Sequence, residues 1–454
     1  MTTPSSRPRL LIVGFSPETN IGDRARHDGL LKLLRRRGFS GSLPINTRIG
    51  ANQMARVPLD YPVLSRVADV EIVPSPLPTF DNDGTGFRRI AGEAANAASM
   101  VAGLVLLALA RFVPGASVAL WPRRYRRVLD LIREAEFILW RGTNLRGRRN
   151  ALIEFYRMYA RLFLPLLCAA YGRRVAYVSG SVWSDFAFPA RWLVRRVLRG
   201  CSHISVRESE SLWNARDLIG DDDGPRIEQV PDLSLAILDG SEFAYTSDLR
   251  SNGIEIAVTL MDWSGFGREA RRRYIEAVAR FLEERIESQG ARVTIVPQVI
   301  KKWESASRIA EEVLATIAPT ARESVRTIDG ALSIDELVSR YRGSDLLLAT
   351  RMHSAIFALS AGTPVIAIPY DVGAKWQILG DLGAGELVIG YDRVTVDELR
   401  ARFALLVDRG ESLMEGVRAK LQEQYARVDR NLPAEMDDLF RPADATPPRT
   451  PSPS

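Results

Sequence analysis

The amino-acid sequence predicts an α/β protein built from two Rossmann-like domains that face each other across a cleft. Short apolar segments alternate with helical segments along most of the chain, which is the pattern of βαβ units around a parallel sheet. The alternation stops at a polar stretch, 238–253, and then starts again. The length of 454 residues also exceeds that of one domain of roughly 100–200 residues.

We therefore predict an N-terminal domain over 1–240 and a C-terminal domain over 250–440. The tail 441–454 is rich in Pro, Ser and Thr and is expected to be disordered. In the first domain the apolar runs predict strands over 9–15, 137–140, 174–179 and 203–207, and the helical segments are 24–37, 151–170 and 189–199. An apolar and Arg-rich insertion covers about 75–127.

The second domain repeats the alternation. Strands are predicted over 254–260, 292–297, 345–349 and 365–369, and helices over 268–288, 304–317, 334–341, 353–361 and 396–428. Ligands of doubly wound sheets bind at the carboxyl ends of the strands. The loops that we expect around the cleft therefore follow Phe15, Trp140, Ser179, Arg207, Pro297, Ala349 and Pro369.

The composition is that of a soluble globular protein, with 46% hydrophobic and 26% charged residues. The net charge of +6 suits an anionic partner, but only five of the 61 basic residues are lysine, a bias that GC-rich coding explains better than nucleic-acid binding does. No RNA-binding signature is present, so we expect no nucleic-acid partner. The three histidines and two cysteines lack metal or disulfide spacing, so we expect no metal, no cofactor and a cytoplasmic location.

One apolar segment, 94–110, carries no charge. It is shorter than the roughly 20 residues that span a bilayer, and it contains Asn96 and Ser99. Arg111 and four arginines within 123–127 follow it. We expect a buried or interfacial helix and peripheral contact with the inner face of the membrane, and a membrane span is the alternative.

The most informative segment for chemistry is 345–375. A strand ends at Ala349 and a helix begins near His353, so Arg351 and His353 lie where free N–H groups and the helix dipole favour an anion. Arginine offers a planar fork for phosphate or carboxylate, and histidine exchanges a proton near neutral pH. The alternative is a surface turn with a capping histidine. The apolar flanking sequence favours the functional interpretation, because polar side chains among buried apolar residues require a binding partner.

Other polar residues follow predicted strands and point to the same cleft. The first loop lacks G-x-G-x-x-G spacing, which argues against a dinucleotide. We interpret Asp23 as the N-cap of its helix and Asn20 as a ligand of a sugar hydroxyl. The acidic run 221–223 is interpreted as a solvated turn. The remaining candidate binding residues are Arg207, Gln298, Lys301, Lys302 and Lys375.

Several short motifs occur in an order that resembles the polysaccharide pyruvyl transferase family. They are Asn20-Ile21-Gly22-Asp23, Ser205-Val206-Arg207-Glu208, Pro231-Asp232, Pro297-Gln298, and the long block from Arg351 through Lys375. The last block is specific, whereas the short motifs carry weight through their order. The resemblance covers the chain from about residue 9 to about residue 410.

The resemblance implies a fold like that of the GT-B glycosyltransferases and transfer of a pyruvyl group from phosphoenolpyruvate to a sugar of a cell-surface polysaccharide or glycolipid. It implies that Arg351 and His353 match the family's Arg and His. On this basis His353 is expected to be the general acid, and Arg351 with Lys301, Lys302 or Lys375 to hold the anionic donor. Only two glycines occur in 140–147, where the family is Gly-rich, which leaves the acceptor open.

Two alternatives remain at this point. A GT-B glycosyltransferase would use a nucleotide-sugar donor, but no ribose-binding acid stands out after the helix that begins near His353. A non-catalytic glycan-assembly protein would keep only the fold, and the Arg-x-His at a helix N-terminus argues against it.

Overall fold

The computed structural model describes residues 10–77, 87–147, 150–220, 224–238, 243–263, 265–298, 306–328, 330, 332–370 and 373–437. Lys301, Lys302, the acidic run 221–223 and the tail 441–454 lie outside these ranges, so the predictions made for them are not addressed by the structure.

The first half of the chain forms an eight-stranded sheet in which all paired strands are parallel. Its strands are β1 (Leu10–Phe15), β2 (Leu43–Gly50), β3 (Val70–Ser75), β4 (Phe137–Arg141), β5 (Asn144–Leu145), β6 (Val175–Val182), β7 (His203–Val206) and β8 (Arg226–Gln229). The order across the sheet is β3-β2-β1-β4-β6-β7-β8, with β5 beside β6. We call this sheet and its helices the first lobe.

The second half forms a five-stranded parallel sheet, the core of the second lobe. Its strands are β9 (Glu255–Thr259), β10 (Arg292–Ile295), β11 (Val325–Thr327), β12 (Leu346–Ala349) and β13 (Val365–Ala367). They lie in the order β11-β10-β9-β12-β13. The stretch 238–253 connects the two sheets, and the structure describes it outside 239–242.

Helices connect and cover the strands. They are α1 (Ile21–Arg36), α2 (Val57–Asp60), α3 (Phe87–Phe112), α4 (Pro114–Leu120), α5 (Arg123–Glu134), α6 (Ala151–Ala170), α7 (Ala190–Arg199), α8 (Ser209–Ile219), α9 (Gly267–Gln289), α10 (Ala306–Thr316), α11 (Pro319–Arg322), α12 (Ile334–Arg342), α13 (Met352–Ser360), α14 (Gln377–Asp381) and α15 (Val396–Arg427). Short 3-10 turns occupy Ala51–Arg56, Leu64–Arg66, Leu233–Ala236, Ala374–Trp376, Gly385–Leu387, Val428–Asn431 and Ala434–Met436.

The central strands are mostly apolar because both faces of each sheet are covered. Every residue of β4 and of β12 is buried. One core joins the α1 face of the first sheet, the turn Leu233–Ala236 and the second lobe. A separate core fills the opposite face of the first sheet, under α5, α6 and α7.

Strand order reverses at one place in each sheet, between β1 and β4 and between β9 and β12. Such a reversal opens a crevice at the carboxyl ends of the two strands, and this is where doubly wound proteins bind ligands. Helix α1 starts at the first crevice and helix α13 at the second. The residues that can act on a ligand therefore belong to the starts of these two helices.

The chain returns to the first lobe after α15. Arg427 donates from Nη2 to the carbonyl oxygen of Gln229 at 3.0 Å, and Asn431 donates from Nδ2 to that of Pro231 at 2.9 Å. Arg37, the C-cap residue of α1, donates to the carbonyl oxygens of Asp429 and Pro433. These bonds attach the C-terminal segment to the first lobe.

Two local predictions are corrected by the structure. Helix α1 begins at Ile21 rather than at residue 24, and its N-cap is Asn20, whose Oδ1 accepts from the backbone N of Gly22 at 3.0 Å. Asp23 lies inside the first turn and is not the cap. The reason is that Asn caps a helix as well as Asp does, and Gly22 can continue into the first turn.

The apolar segment 94–110 is also different from the prediction. It is part of a 26-residue helix, α3, which begins seven residues before the charge-free run and ends two residues after it. Within the described residues, Ile90–Phe112 is a helix long and apolar enough to cross a membrane by length and composition, which is weak evidence for a span. Of the two expectations, a buried or an interfacial helix, burial does not hold for one face, because Val101 is 63% exposed and Leu104 is 55% exposed. The interfacial expectation remains a prediction.

Candidate active site

His353 lies in the first turn of α13, at the carboxyl end of β12. The start of this helix is held against β9, because the backbone N of Thr350 donates to Thr259 Oγ1 at 3.2 Å and the Thr350 hydroxyl contacts the Thr259 carbonyl. Arg351 is the N-cap residue and its side chain makes no capping bond. The first N–H groups of α13 therefore keep the partial positive charge of a helix N-terminus.

The imidazole of His353 rests on the backbone of the first lobe at Gly22. A methyl group added to Gly22 would collide with three atoms of the ring, Nδ1, Cγ and Cε1. The neighbouring Ile21 donates its backbone N–H to the carbonyl oxygen of Gln298 at 3.5 Å. Since Gln298 follows β10 in the second lobe, the first loop of one lobe meets two strand ends of the other.

Asp232 lies behind the imidazole. Its Oδ2 is 3.8 Å from His353 Nε2, which is within ion-pair range but longer than a hydrogen bond. The carboxylate is fully buried, and it accepts from Arg207 Nη1 at 2.7 Å and from the backbone N of Ser234 at 2.8 Å. Asp232 reaches this place because Gly29 of α1 has no side chain to collide with the carbonyl of Leu233.

The protonation of this pair follows from its burial and its neighbours. Burial lowers the pKa of His353 below the ordinary 6.5, and the charge of Asp232 opposes this shift only in part. Burial works against the Asp232 carboxylate too, but His353 and Arg207 outweigh it and hold the pKa of Asp232 well below its ordinary value. Without a ligand, the pair is thus a neutral imidazole beside an ionised carboxylate.

Arg207, which was predicted to be an anion ligand, is held by protein partners. Its guanidinium donates to Asp232, to Glu208 Oε1 at 2.6 Å, to Ser181 Oγ at 3.0 Å and to Asn144 Oδ1 at 3.2 Å. It is 3% exposed. In this arrangement Arg207 pairs with two buried carboxylates, Glu208 and Asp232, and positions both.

A second buried cluster adjoins the first, under the N-terminus of α1. Arg141, at the end of β4, donates from Nη1 to Asp23 Oδ1 at 3.1 Å and from Nη2 to Ser16 Oγ at 2.6 Å. Burial opposes the Asp23 carboxylate, but Arg141 and Arg26 outweigh it and lower the pKa of Asp23. Asp23 therefore pairs with an arginine of its own lobe in this structure.

Arg26 is a buried cation one turn further along α1. It donates from Nη2 to the carbonyl oxygens of Gly142, at 2.8 Å, and of Ser179. Burial, together with the charges of Arg141 and Arg207, lowers the pKa of Arg26 to about 9, so it stays protonated at neutral pH. Its charge acts on both Asp232 and His353.

The remaining predicted residues lie around this centre. Arg351 is 8% exposed, and its charge acts on Tyr274 of α9. The Gln298 side chain donates from Nε2 to the Tyr341 hydroxyl at 3.0 Å. Its backbone carbonyl oxygen accepts from the first loop. Asn20 uses its Oδ1 as the helix cap described above.

Lys375 follows β13 and is buried against the first lobe. It donates from Nζ to the Tyr370 hydroxyl at 2.7 Å and lies 4.2 Å from the centre of that ring. A side chain on the nearby Gly373 would collide with the indole of Trp183, which belongs to the first lobe. The loop that carries Lys375 is therefore a second place where the lobes meet.

The sequence analysis did not identify Asp232, Arg26, Arg141 and Glu208 as site residues. Asp232 had been noticed only as part of a Pro-Asp motif. A signal for Arg26 was present, because it occupies the apolar face of α1 shared by Gly22, Ala25 and Gly29, and a charge on such a face needs buried partners.

Comparison with known proteins agrees with the motif order. The family model described as polysaccharide pyruvyl transferase matches residues 20–372. This range contains the charged residues of the two clusters and all of the second sheet. No curated protein matches the sequence significantly.

Solved structures resemble the chain along nearly its whole length. HepE from Anabaena, in complex with UDP and glucose, has a TM-score of 0.52 at 12% identity, over 94% of this chain and 99% of that one. Sucrose-phosphate synthase from Thermosynechococcus elongatus has a TM-score of 0.54 at 12% identity, over 96% and 99%. UDP-GlcNAc 2-epimerase from Neisseria meningitidis bound to UDP-GlcNAc has 0.52 at 12%, over 93% and 97%. At such identities the likeness concerns the fold alone, and the predicted GT-B-like class of two parallel sheets is confirmed.

Proposed function

The chain belongs to the polysaccharide pyruvyl transferase family, and we propose that it transfers a pyruvyl group from phosphoenolpyruvate to a sugar of a cell-surface polysaccharide or glycolipid. The observation that carries the proposal is the seating of His353 from one lobe on Gly22 of the other, with Asp232 behind it. An imidazole, which can transfer a proton near neutral pH, then lies between two helix N-termini, which favour an anionic ligand.

The chemistry requires two hydroxyl groups of one sugar. The first hydroxyl oxygen adds to C2 of phosphoenolpyruvate while C3 takes a proton and becomes a methyl group. The bond from C2 to the phosphate oxygen then breaks, and the second hydroxyl oxygen adds to C2 to close the ketal. One hydroxyl proton balances the proton gained by C3 and the other leaves with phosphate, so neither an oxidant nor a reductant takes part.

His353 is the residue that we assign to the proton on C3. Its imidazole is neutral in the free site, because burial outweighs the effect of Asp232. A bound anionic donor adds negative charge beside the ring, which raises the pKa of His353 and favours the protonated, acidic form. Asp232 orients the ring and stabilises the imidazolium, in the way that a carboxylate supports histidine in other acid–base sites.

The charge that holds the donor comes from the second lobe. In the first lobe Arg207 and Arg141 pair with carboxylates, and Arg26 donates to backbone carbonyl oxygens. Arg351 at the start of α13, Lys375 after β13 and the N–H groups of α13 lie at the carboxyl edge of the other sheet. We assign them to the phosphate and carboxylate of phosphoenolpyruvate.

The test is a comparison of donors. The protein is incubated with phosphoenolpyruvate or with UDP-glucose, in the presence of membranes from the source cells as acceptor, and released phosphate and UDP are measured. Release of phosphate that depends on phosphoenolpyruvate and on acceptor is expected. Release of UDP without phosphate would replace the proposal by a nucleotide-sugar glycosyltransferase, and release of neither would leave a non-catalytic assembly protein.

Arg351→Lys should raise the KM for phosphoenolpyruvate roughly tenfold, because lysine keeps the charge but loses the planar fork. The kcat value should fall less than KM rises, unless the fork also stabilises the leaving phosphate. Steady-state kinetics measure both constants, and Arg430→Lys on the exposed C-terminal segment is the matched control. An unchanged KM would remove Arg351 from the donor site.

The pH dependence of kcat/KM should report the free His353. An acid with a pKa below 6.5 loses its proton as pH rises, so kcat/KM should fall above that pKa. Asp232→Asn should move this limb to lower pH, because the carboxylate holds the pKa of His353 up. The donor's own ionisation is the same for both enzymes, so the difference reports the protein. A kcat/KM that rises through this range would make His353 a base.

A further inference from the structure

Helix α3 presents an uncharged face to solvent. From residue 94 to residue 108 its exposed positions are Ala94, Ala97, Ala98, Val101, Leu104, Val105 and Ala108, which follow each other at helical spacing. Phe112 extends the same stripe and is 81% exposed. Soluble proteins seldom expose a contiguous apolar patch of this kind unless it contacts a partner or a membrane.

The opposite face of α3 is packed into the protein. Leu106 and Ala110 belong to the core under the first sheet, and a methyl group on Gly103 would lie 2.9 Å from the Phe163 ring of α6. The Tyr159 hydroxyl of α6 also donates to the carbonyl of Met100 at 3.2 Å. A helix held along one face in this way cannot cross a bilayer without leaving α6, whereas it can lie on the bilayer surface.

The same helix borders a cavity of about 260 Å³ in the first lobe. Asn96 and Met100 of α3 line it together with Asn46 and Thr47 of β2 and Thr143 after β4. Trp140, Tyr156 and Phe163 supply aromatic surface to the same cavity. Polar groups beside aromatic rings are what a saccharide needs, because its hydroxyls form hydrogen bonds and its C–H faces pack on rings.

The cavity also adjoins the buried clusters of the candidate active site. Gly14 and Trp140 line it at the ends of β1 and β4, one residue before Phe15 and Arg141 respectively. Arg48, another lining residue, lies close enough to Arg141 for its charge to act there. A saccharide in this cavity would therefore lie at the carboxyl ends of β1 and β4. Helix α1, whose Gly22 contacts the His353 ring, begins at the same edge of the sheet.

Positive charge follows the exposed stripe. Arg111 ends α3 next to Phe112, and Arg123 and Arg124 begin α5 after the short α4; all three are exposed. Leu120, which ends α4, is 67% exposed and continues the apolar surface toward these arginines. Apolar side chains bordered by arginine suit an anionic bilayer, where lipid tails meet the former and phosphate groups the latter.

We propose that the exposed face of α3 lies on an anionic bilayer and that the adjoining cavity takes the sugar of a lipid-anchored acceptor. The second half of this inference rests on the proposed function, whereas the first half does not. Because the cavity and the stripe share one helix of about 10–12 Å diameter, a sugar carried by a lipid reaches the cavity while its anchor stays in the membrane.

Vesicle binding tests the first half. The full chain is sedimented with vesicles of phosphatidylglycerol and phosphatidylcholine, and with vesicles of phosphatidylcholine alone. Binding to the anionic vesicles is expected, and the double variant Val101→Asp and Leu104→Asp should weaken it roughly 30-fold or more. Trp213→Asp is the matched control, since Trp213 is 77% exposed on α8 near the opposite edge of the sheet.

Two outcomes would overturn the bilayer contact. Equal binding by the double variant and the wild type would show that the stripe is not the contact surface. Resistance to carbonate extraction, together with release by detergent, would show that α3 crosses the membrane instead. Circular dichroism of the double variant is expected to match the wild type, because both substituted side chains are exposed.

Phosphate release tests the second half, with phosphoenolpyruvate as donor and membranes of the source cells as acceptor. Met100→Trp partly fills the cavity; it should bind vesicles like the wild type but release phosphate at least about tenfold more slowly. A wild-type rate in this variant would remove the cavity from the acceptor path. If the wild type itself releases no phosphate, the proposed function fails, and vesicle binding still decides the bilayer contact.

Discussion

Replacing His353 with alanine should lower kcat by roughly 10²–10⁴-fold, the range expected when a positioned acid or base is removed. The KM for phosphoenolpyruvate should change little, because the donor's charges are assigned to Arg351, Lys375 and the N-terminus of α13. The backbone of α13 should persist, since Thr350 and not His353 attaches its start to β9. Steady-state kinetics and a melting curve on the same sample measure these quantities.

His203→Ala is the matched control. His203 is 3% exposed, and its Nε2 lies 3.4 Å from Glu228, but it begins β7 at the edge opposite the strand carboxyl ends. Its loss should lower the melting temperature without a comparable loss of kcat. If a folded His353→Ala enzyme keeps a near-native kcat, the imidazole is a structural residue and the acid must be sought elsewhere. A parallel fall of stability and activity would favour a structural role for His353 at the contact between the lobes.

The alternation of strands and helices could be predicted from the sequence because it depends on local patterns. Parallel strands buried on both faces are short apolar runs, such as β4 and β12, and they contrast with the polar stretches around them. The start of α1 was misplaced because Asn20 and Asp23 are both good capping residues. The length of α3 was underestimated because charges, which are tolerated at helix ends, were taken as its boundaries.

The position of His353 could be predicted because it depends on one strand end and one helix start. Its partners could not, because each comes from a different part of the chain and approaches only in the folded state. Asp232 follows β8, Arg26 lies within α1, and Arg141 ends β4. A charged residue at the end of a strand gives the same local sequence pattern whether its side chain is exposed or buried. The side chain of Arg141 is buried, with 1% exposure.

Glycines of α1 connect the fold to the site. Gly22 receives the His353 ring and Gly29 receives the carbonyl of Leu233, seven residues and about two helical turns apart, so both lie on one face of the helix. The first contact joins the lobes, and the second brings Asp232 under the ring. A helix of otherwise ordinary composition thus determines the distance between the two members of the candidate pair.

Gly22→Ala should lower kcat by about 10²-fold or more, although no catalytic group is removed, because a methyl group there would collide with the His353 imidazole. A Gly-to-Ala change inside a helix otherwise stabilises it by about 0.5–1 kcal/mol, so a fall in melting temperature would itself report the collision. Gly416→Ala in α15 is the control, since a methyl group there meets nothing within 4 Å.

The kcat values of the single variants and of the double variant distinguish displacement of the His353 ring from loss of the ring. Displacement should add little to an enzyme that has no imidazole, so His353→Ala combined with Gly22→Ala should have about the kcat of His353→Ala alone. Independent effects would instead multiply. A Gly22→Ala enzyme with native kcat and a raised melting temperature, like that expected for Gly416→Ala, would mean that His353 does not rest on α1 in the working enzyme, and the proposed pairing of the two lobes at this point would be wrong.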